Sequence, residues 1–321
     1  MKTEILNNNL LNAVKDRIPQ GENLANTLMD VLFIGKEAVY RRLRGEVPFT
    51  FLEVATISKQ FGVSLDKVVG TSSPDNALFE ITQIQYADPM ENDYILFENS
   101  LRDLRNVNQD PESEIGSSSN MLPHSFSLKY ENLSKVRSFK WMYQSVKLDE
   151  VKPFHEVYIP EKLKKIKSEF IKEIQNVHNT FYIWDNMVFQ NIVNDIRYFA
   201  GIQLILPKDV EKMKEELYML IDDLENITSK GKYDDTGNKV HIYISDVNFE
   251  TTYSYIQSRN NNFSLIRAFA LNAIASNDEK MFKNLKRWIQ SLKRFSVLIS
   301  ESGELQRVKF LKKQREIVEM L

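Results

Sequence analysis

Basic and hydrogen-bonding side chains cluster between positions 36 and 44 of the chain. Lys36, Tyr40 and Arg44 are four residues apart, so a helix places them on one face. Glu37 and Arg41 fall on the same side. A helix of this width enters the major groove of DNA, where Lys and Arg donate hydrogen bonds to guanine O6 and N7. The side chains predicted to contact base edges are Lys36, Glu37, Tyr40 and Arg41.

The remaining residues of this segment are predicted to anchor the helix or to contact phosphate. Val39 and Leu43, four residues apart, are predicted to anchor the helix to its neighbours. Arg42 lies toward the flank and, with Arg44, is predicted to bind phosphate. Residues 1–70 carry nine basic against eight acidic side chains, so an ordinary solvated face is the alternative. The clustering of four of these cations between positions 36 and 44 favours DNA binding.

Five short helices are predicted to surround and include this segment. Apolar residues recur at helical spacing through the first seventy residues. Gly45 and Gly62 suit the left-handed position that ends a helix. In the fourth helix Phe51, Val54, Ile57 and Phe61 are expected on the apolar side. The predicted helices cover residues 5–18, 22–31, 36–44, 51–61 and 65–69.

This part of the chain resembles the lambda-repressor/Cro-type (XRE-like) helix-turn-helix regulators. The matching segments are Leu24-Ala25, IGKEAVYRRLRGE at 34–46, FLEVATIS at 51–58 and FGVSLD at 61–66. The resemblance implies a five-helix DNA-binding domain over residues 1–70 and sequence-specific regulation of transcription. Many members carry Gln, Ser and Glu where this chain has Lys36, Tyr40 and Leu43, so no base preference is implied.

Residues 71–125 are predicted to connect this domain to a larger one. Polar residues without periodicity fill 71–76 and 106–120, which is typical of linkers. Between them, residues 79–84 alternate like a strand and residues 92–107 have helical spacing. We expect this region to pack on the larger domain.

Residues 126–321 are predicted to form an α+β domain that is mostly helical, with a small antiparallel sheet. Most of the segment has helical periodicity, whereas Val240–Ser245 alternates in the manner of a strand. The predicted helices cover residues 135–146, 160–177, 180–202, 207–228, 278–298 and 303–321. The predicted strands cover residues 240–245, 252–257 and 263–270. The fold class expected for the whole chain is mainly α with an α+β portion.

An aromatic band in the predicted helix at 180–202 suggests an effector pocket, because ligand sites combine apolar walls with a few polar groups. Its candidate lining residues are Tyr182, Trp184, Phe189 and Tyr198. An ordinary hydrophobic core explains the same pattern, and the sequence favours this second interpretation.

The sequence offers little for catalysis or metal binding. The absence of Cys removes thiol nucleophiles, disulfides and Cys-ligated metal sites. The four His residues are widely spaced and match no metal-binding pattern. We predict no catalytic residue, no metal, no cofactor and no enzymatic activity.

The composition is that of a folded protein, with a formal net charge of −2 and 42% hydrophobic residues over 321 positions. No signal-peptide pattern and no long apolar run is present, so a cytoplasmic protein without a membrane partner is expected. The predicted partners are double-stranded DNA, a second copy of the chain and an effector of unknown nature. A homodimer is expected because paired half-sites need two recognition helices.

The sequence leaves alternatives for the overall function and for the C-terminal helices. A non-enzymatic adaptor that docks its helix-turn-helix on a partner protein is the alternative function. The basic C-terminal helices fit a solvated face, a second nucleic-acid contact or a dimerisation surface.

Overall fold

The computed structural model divides the chain into two compact units, Met1–Leu78 and Phe79–Leu321. The residues described are 2–15, 17–19, 22–69, 77, 79–81, 89–145, 150–259, 261–267 and 273–321. The predicted linker at 71–76 lies outside the described residues. Among the described helices, none has both the length and the apolarity needed to span a bilayer.

The described part of the first unit is helical. Its helices are α1 (Lys2–Lys15), α2 (Leu24–Leu32), α3 (Lys36–Leu43), α4 (Phe51–Phe61) and α5 (Leu65–Val69). Their apolar faces meet in a small core that includes Val14, Leu28, Val39 and Ile57. Asn23 caps α2 by accepting hydrogen bonds from the backbone N–H groups of the first turn.

An eight-stranded mixed sheet is the centre of the second unit, so the prediction of a small antiparallel sheet was wrong. Its strands are β1 (Glu80–Ile81), β2 (Glu114–Ser119), β3 (Asn179–Asp185), β4 (Lys239–Ser245), β5 (Tyr253–Gln257), β6 (Asn262–Arg267), β7 (Ala273–Ser276) and β8 (Ser296–Leu298). The spatial order is β1-β7-β6-β5-β2-β3-β4-β8. The strands β2, β3 and β4 are parallel, and the remaining pairs are antiparallel.

Helices cover both faces of this sheet. They are α6 (Pro89–Val107), α7 (His124–Ser127), α8 (Glu131–Ser145), α9 (Glu161–Asn176), α10 (Gln190–Gly201), α11 (Pro207–Lys230), α12 (Glu279–Ser291) and α13 (Glu304–Val318). Side chains alternate along β3. Tyr182 and Trp184 join the larger core with α8 to α11 and α13, whereas Phe181 and Ile183 pack against α12.

The predicted helix at 180–202 was wrong over its first part, because that part is β3 and only α10 is helical. A parallel strand buried on both faces is continuously apolar and therefore lacks the alternation that identifies a half-exposed strand. The predicted helix at 278–298 was too long, because α12 ends at Ser291 and the last residues of the predicted range form β8. The predicted strand at 263–270 is β6, and residues 268–270 lie outside the described residues.

The region predicted as a connector contributes to the second unit. The helix α6 belongs to its larger core, and β2 lies between β3 and β5 near the middle of the sheet. Because β2 carries three consecutive Ser residues, its sequence is typical of a linker although its side chains are nearly all buried.

Several cations of the C-terminal helices have partners within the unit. Lys286 binds Glu114 at 2.8 Å, and Arg315 binds Asp222 at 2.8 Å. Lys293 lies 4.0 Å from the centroid of the Phe181 ring. Lys286 and Arg315 therefore tie α12 and α13 to the rest of the second unit, and Lys293 does the same for the turn after α12.

Candidate nucleic-acid interface

The helix α3 is held by one side and exposed on the other. Val39 is buried in the core of the first unit, and Leu43 packs against that core. At about 100° of rotation per residue, the side chains from Lys36 to Arg41 fall within an arc of about 140° that adjoins the side of Val39 and Leu43. The exposed α3 face is formed by Lys36, Glu37, Tyr40, Arg41 and Arg44.

Local sequence explains where α3 begins. The turn before it contains Phe33, whose backbone is left-handed with a φ of 53°, and Gly35 is the extended N-cap residue of the helix. A positive φ in a non-glycine residue makes a sharp turn at an energetic cost. This turn fixes the direction in which α3 leaves α2.

The members of the exposed α3 face are arranged for hydrogen bonding. Lys36, Glu37 and Arg41 are exposed, whereas Tyr40 is half-buried and packs partly on the core. The Lys36 Nζ atom lies 6.0 Å from the centroid of the Tyr40 ring, at the outer limit of a cation–π contact. The face thus presents ammonium and guanidinium donors together with a phenol and a carboxylate.

Glu46, just beyond the end of α3, binds two of these cations. Its carboxylate accepts a hydrogen bond from Arg44 Nε at 2.6 Å and lies 3.7 Å from Arg41 Nε. The hydrogen bond from Arg44 lowers the pKa of Glu46, and Glu46 in turn raises the pKa of Arg44. An incoming phosphate therefore competes with Glu46 for both guanidinium groups.

Arg42 faces inward, unlike the other cations of α3. Its guanidinium makes two hydrogen bonds to Glu53, and its Nη1 donates to the Ala38 carbonyl at 3.1 Å. Only 14% of each side chain in the Arg42–Glu53 pair is exposed. The predicted phosphate contact at Arg42 is untested, but the geometry favours a role in positioning α3.

The structure also exposes apolar side chains that the sequence analysis did not select. Phe33 is 92% exposed, and Phe51 and Leu52 at the start of α4 are 84% and 75% exposed. Phe51 was predicted on the apolar side of its helix, which was wrong, because Val54, Ile57 and Phe61 are the residues of α4 that turn toward the core. Thr50 is the N-cap residue of α4 and forms a capping box with Glu53. This capping pattern in the sequence would have placed Phe51 at the first position of the helix, in the turn that faces outward.

The residues predicted to line an effector pocket are not brought together at an open surface. Tyr182, Trp184 and Phe189 are buried in the larger core of the second unit, whereas Tyr198 is 55% exposed on α10. The Trp184 ring contacts Phe126 edge-on, with centroids 5.3 Å apart. The three buried side chains pack as core residues.

No protein-family model matches the chain, and neither a curated protein nor a solved structure is significantly similar to it. The function of the exposed α3 face must therefore be inferred from its own geometry and charge. Among the described residues, no group of three His, Asp or Glu side chains is arranged to hold a metal ion. Among the described residues of the first unit, the α3 face carries a concentration of side-chain donors suited to an anionic ligand.

Proposed function

We propose that this protein is a sequence-specific DNA-binding regulator of transcription whose helix α3 enters the major groove. The observation that carries the proposal is the exposed α3 face, which presents Lys36, Arg41 and Arg44 on a helix anchored through Val39. The resemblance of residues 24–66 to lambda-repressor/Cro-type regulators supports the same assignment, with α1 to α5 as a five-helix DNA-binding domain.

Each member of the face has a proposed role. Lys36 and Arg41 donate to guanine O6 and N7, Glu37 accepts from the cytosine amino group, and Tyr40 contacts a base edge. Arg44, at the end of the helix, binds a phosphate after leaving Glu46. Arg42 positions α3 through Glu53 and does not bind DNA directly.

The second unit is proposed to bring two copies of the first unit onto one operator. Two recognition helices reach adjacent major grooves when their half-sites are one helical turn apart, about 34–36 Å. A symmetric dimer therefore predicts a palindromic site.

A protein-docking adaptor is the second candidate, and the exposed Phe33, Phe51 and Leu52 side chains favour it. Large apolar side chains exposed near one another are typical of surfaces that bind proteins. They are also compatible with DNA, since apolar side chains contact the thymine methyl group. Salt dependence separates the two functions, because phosphate contacts release counterions.

Selection from a randomised duplex pool by the full-length protein, followed by fluorescence anisotropy over a range of salt concentrations, tests the proposal. We expect enrichment of a motif with two half-sites about 10 base pairs apart and a steep fall in affinity with salt. Absence of enrichment, with weak binding that salt does not change, would contradict DNA recognition and favour the adaptor.

A further inference from the structure

A group of buried and half-buried charged side chains lies in the second unit, away from any residue discussed above. Asp93 of α6, His124 of α7, Arg137 of α8, Lys167 of α9 and Arg267 of β6 form this cationic cluster. Asp93 is 0% exposed and Lys167 is 2% exposed. Five separate elements therefore place their polar groups together, with Asp93 and Lys167 buried and the other three partly exposed.

The charges within the cationic cluster do not balance. Asp93 lies 3.1 Å from Arg137 and 3.0 Å from Lys167. Burial would raise the pKa of Asp93, but these two cations outweigh it and lower the pKa. Within the described part of the chain, no second carboxylate lies within ion-pair distance of the cluster's cations. One negative charge thus faces three positive ones.

His124 occupies the position between the two guanidinium groups. Its Nε2 atom is 3.1 Å from Arg137 Nε and 3.0 Å from Arg267 Nη1. Since guanidinium groups only donate, the single lone pair of Nε2 is shared between both donors, and the proton of the neutral ring is on Nδ1. Burial, followed by the charges of Arg137 and Arg267, lowers the pKa of His124 well below its ordinary value. The imidazole lone pair is a weak substitute for an anion.

Within the cationic cluster, the positive charge of Arg267 is the least compensated by opposite charge and hydrogen bonds. Its Nε atom is buried and has no hydrogen-bond partner within the described residues. Burial and the neighbouring charge of Arg137 lower the pKa of Arg267 to about 10. Its backbone N–H donates to the Thr252 carbonyl at 2.9 Å, so the base of the side chain is fixed. A guanidinium whose Nε is buried and which has no counterion among the described residues is unfavourable, because buried charges are normally paired.

We infer that Arg137, Arg267 and His124 form a binding site for the phosphate group of a small molecule. The two uncompensated positive charges match the charge of a phosphate monoester, about −1.5 to −2 at neutral pH. Two guanidinium groups from different elements offer several N–H donors to one tetrahedral anion. Because His124, Arg137 and Arg267 are only partly exposed, the site fits a small ligand better than the backbone of a polymer.

The position of the cluster in the sheet supports this assignment independently. His124 follows closely on Ser119, the last residue of the parallel strand β2. Ser119 Oγ and Thr252 Oγ1 are 2.9 Å apart at that end, and Thr252 is the backbone partner of Arg267. Ligands of α/β sheets bind beyond the carboxyl ends of the parallel strands. The inference does not depend on DNA binding, which concerns the other unit.

Thermal unfolding of the full-length protein tests the site through tryptophan fluorescence. All three Trp residues, at 141, 184 and 288, belong to the second unit, so the signal reports on that unit alone. Sodium phosphate is titrated at constant ionic strength against sodium chloride, with sodium succinate as a carboxylate probe. At about five times its dissociation constant, phosphate should raise the midpoint by about 2–4 °C.

Substitution of Arg267 supplies the specific control. In phosphate-free buffer we expect Arg267→Gln to unfold at the same temperature as the parent or higher, because it removes an uncompensated buried charge. Its response to phosphate should be lost, whereas Arg294→Gln, which removes an exposed guanidinium of the same unit, should respond as the parent does. Arg267→Lys keeps the charge without the forked donors and should respond more weakly than the parent.

Three results would overturn the inference. The first is a phosphate response that persists unchanged in Arg267→Gln, which would indicate only general salt stabilisation. The second is a response to succinate in place of phosphate, which would make the site one for carboxylates. The third is a lower midpoint of Arg267→Gln in phosphate-free buffer, which would mean that the protein alone compensates the guanidinium.

Discussion

Arg42 and Glu53 join helix α3 to helix α4 through two hydrogen bonds, Nε to Oε2 at 3.1 Å and Nη2 to Oε1 at 2.8 Å. Glu53 Oε2 also accepts a hydrogen bond from the backbone N–H of Thr50 at 2.8 Å, which completes the capping box of α4. One carboxylate therefore begins α4 and holds the guanidinium of α3 in a fixed plane. This pair sets the angle between α3 and α4.

Glu53→Gln should loosen α3 and α4 together. The amide keeps a hydrogen bond to Thr50 but loses the charge that pairs with Arg42, at an expected cost of about 1–3 kcal/mol. Hydrogen exchange of peptides spanning residues 36–61 should become about tenfold faster for each 1.4 kcal/mol lost. Lys59→Ala, an exposed substitution in the last turn of α4, should leave exchange unchanged. Equal exchange in Glu53→Gln and the parent would show that the pair does not hold α3.

Glu46→Gln should strengthen binding to DNA. The neutral side chain no longer pairs with the charges of Arg41 and Arg44. Arg41 is then released for bases, while Arg44 keeps only its 3.4 Å contact with Glu37 and is held less tightly. We expect a gain in affinity of about two- to fivefold, since exposed ion pairs are weak. Anisotropy with one duplex at fixed salt measures the change. Glu22→Gln, which removes an exposed carboxylate outside α3, is the matched control. A weaker complex with Glu46→Gln would imply that Glu46 itself contacts the DNA.

The helices of the first unit were predictable because each buries one stripe of regularly spaced apolar residues. The α3 segment is an example, in which Val39 faces the core and Lys36 and Arg41 face outward. The partner of Arg42 was not predictable, because Glu53 lies eleven positions away and the pair depends on the crossing of two helices. Spacing along one helix carries no information about such a contact.

The sheet was less predictable than the helices. Both faces of β3 are buried, so the run Phe181 to Trp184 has no polar alternation and was assigned to a helix. The strand β2 was predicted to be part of a linker, because Ser117 and Ser118 are polar although both are buried in the sheet. The cationic cluster was missed for a third reason: its members come from five elements far apart in sequence, and only the fold brings them together.

Gly116→Ala should destabilise the second unit. A Cβ atom built at Gly116 would lie 2.5 Å from ring atoms of both Phe181 and Tyr255, closer than van der Waals contact allows. The expected cost is about 1–3 kcal/mol, as for other overpacked cores. Urea unfolding followed by tryptophan fluorescence measures it. Gly201→Ala, at a helical position with nothing within 4 Å, should be neutral or stabilising. Equal midpoints for the two variants would contradict the placement of β2 between β3 and β5.

The second unit should lose stability as the pH falls below about 6.5. The pKa of His124 is lowered in the folded state, by burial and by the cations Arg137, Arg267 and Lys167. Below its unfolded pKa of 6.5 the unfolded chain therefore binds a proton that the folded chain does not. The resulting slope approaches about 1.4 kcal/mol per pH unit.

The variant His124→Gln isolates this contribution. Its side-chain oxygen still accepts hydrogen bonds from Arg137 and Arg267 but does not titrate. Urea unfolding between pH 7.5 and 5 should show a shallower loss of stability than in the parent. The pKa of His241 is also lowered, mainly by burial, so part of the slope should remain. Identical pH profiles for the parent and His124→Gln would contradict a neutral, buried His124.

The measurement that tests the central claim most directly compares Arg41→Ala with the parent on a duplex obtained by selection. We expect a loss of about 1–3 kcal/mol in binding and relaxed preference at a single base position. Lys59→Ala, which removes one exposed charge of the same unit outside α3, should retain the parent's motif and nearly its affinity. If Arg41→Ala binds the same motif with the same affinity as the parent, α3 does not read the DNA sequence as proposed.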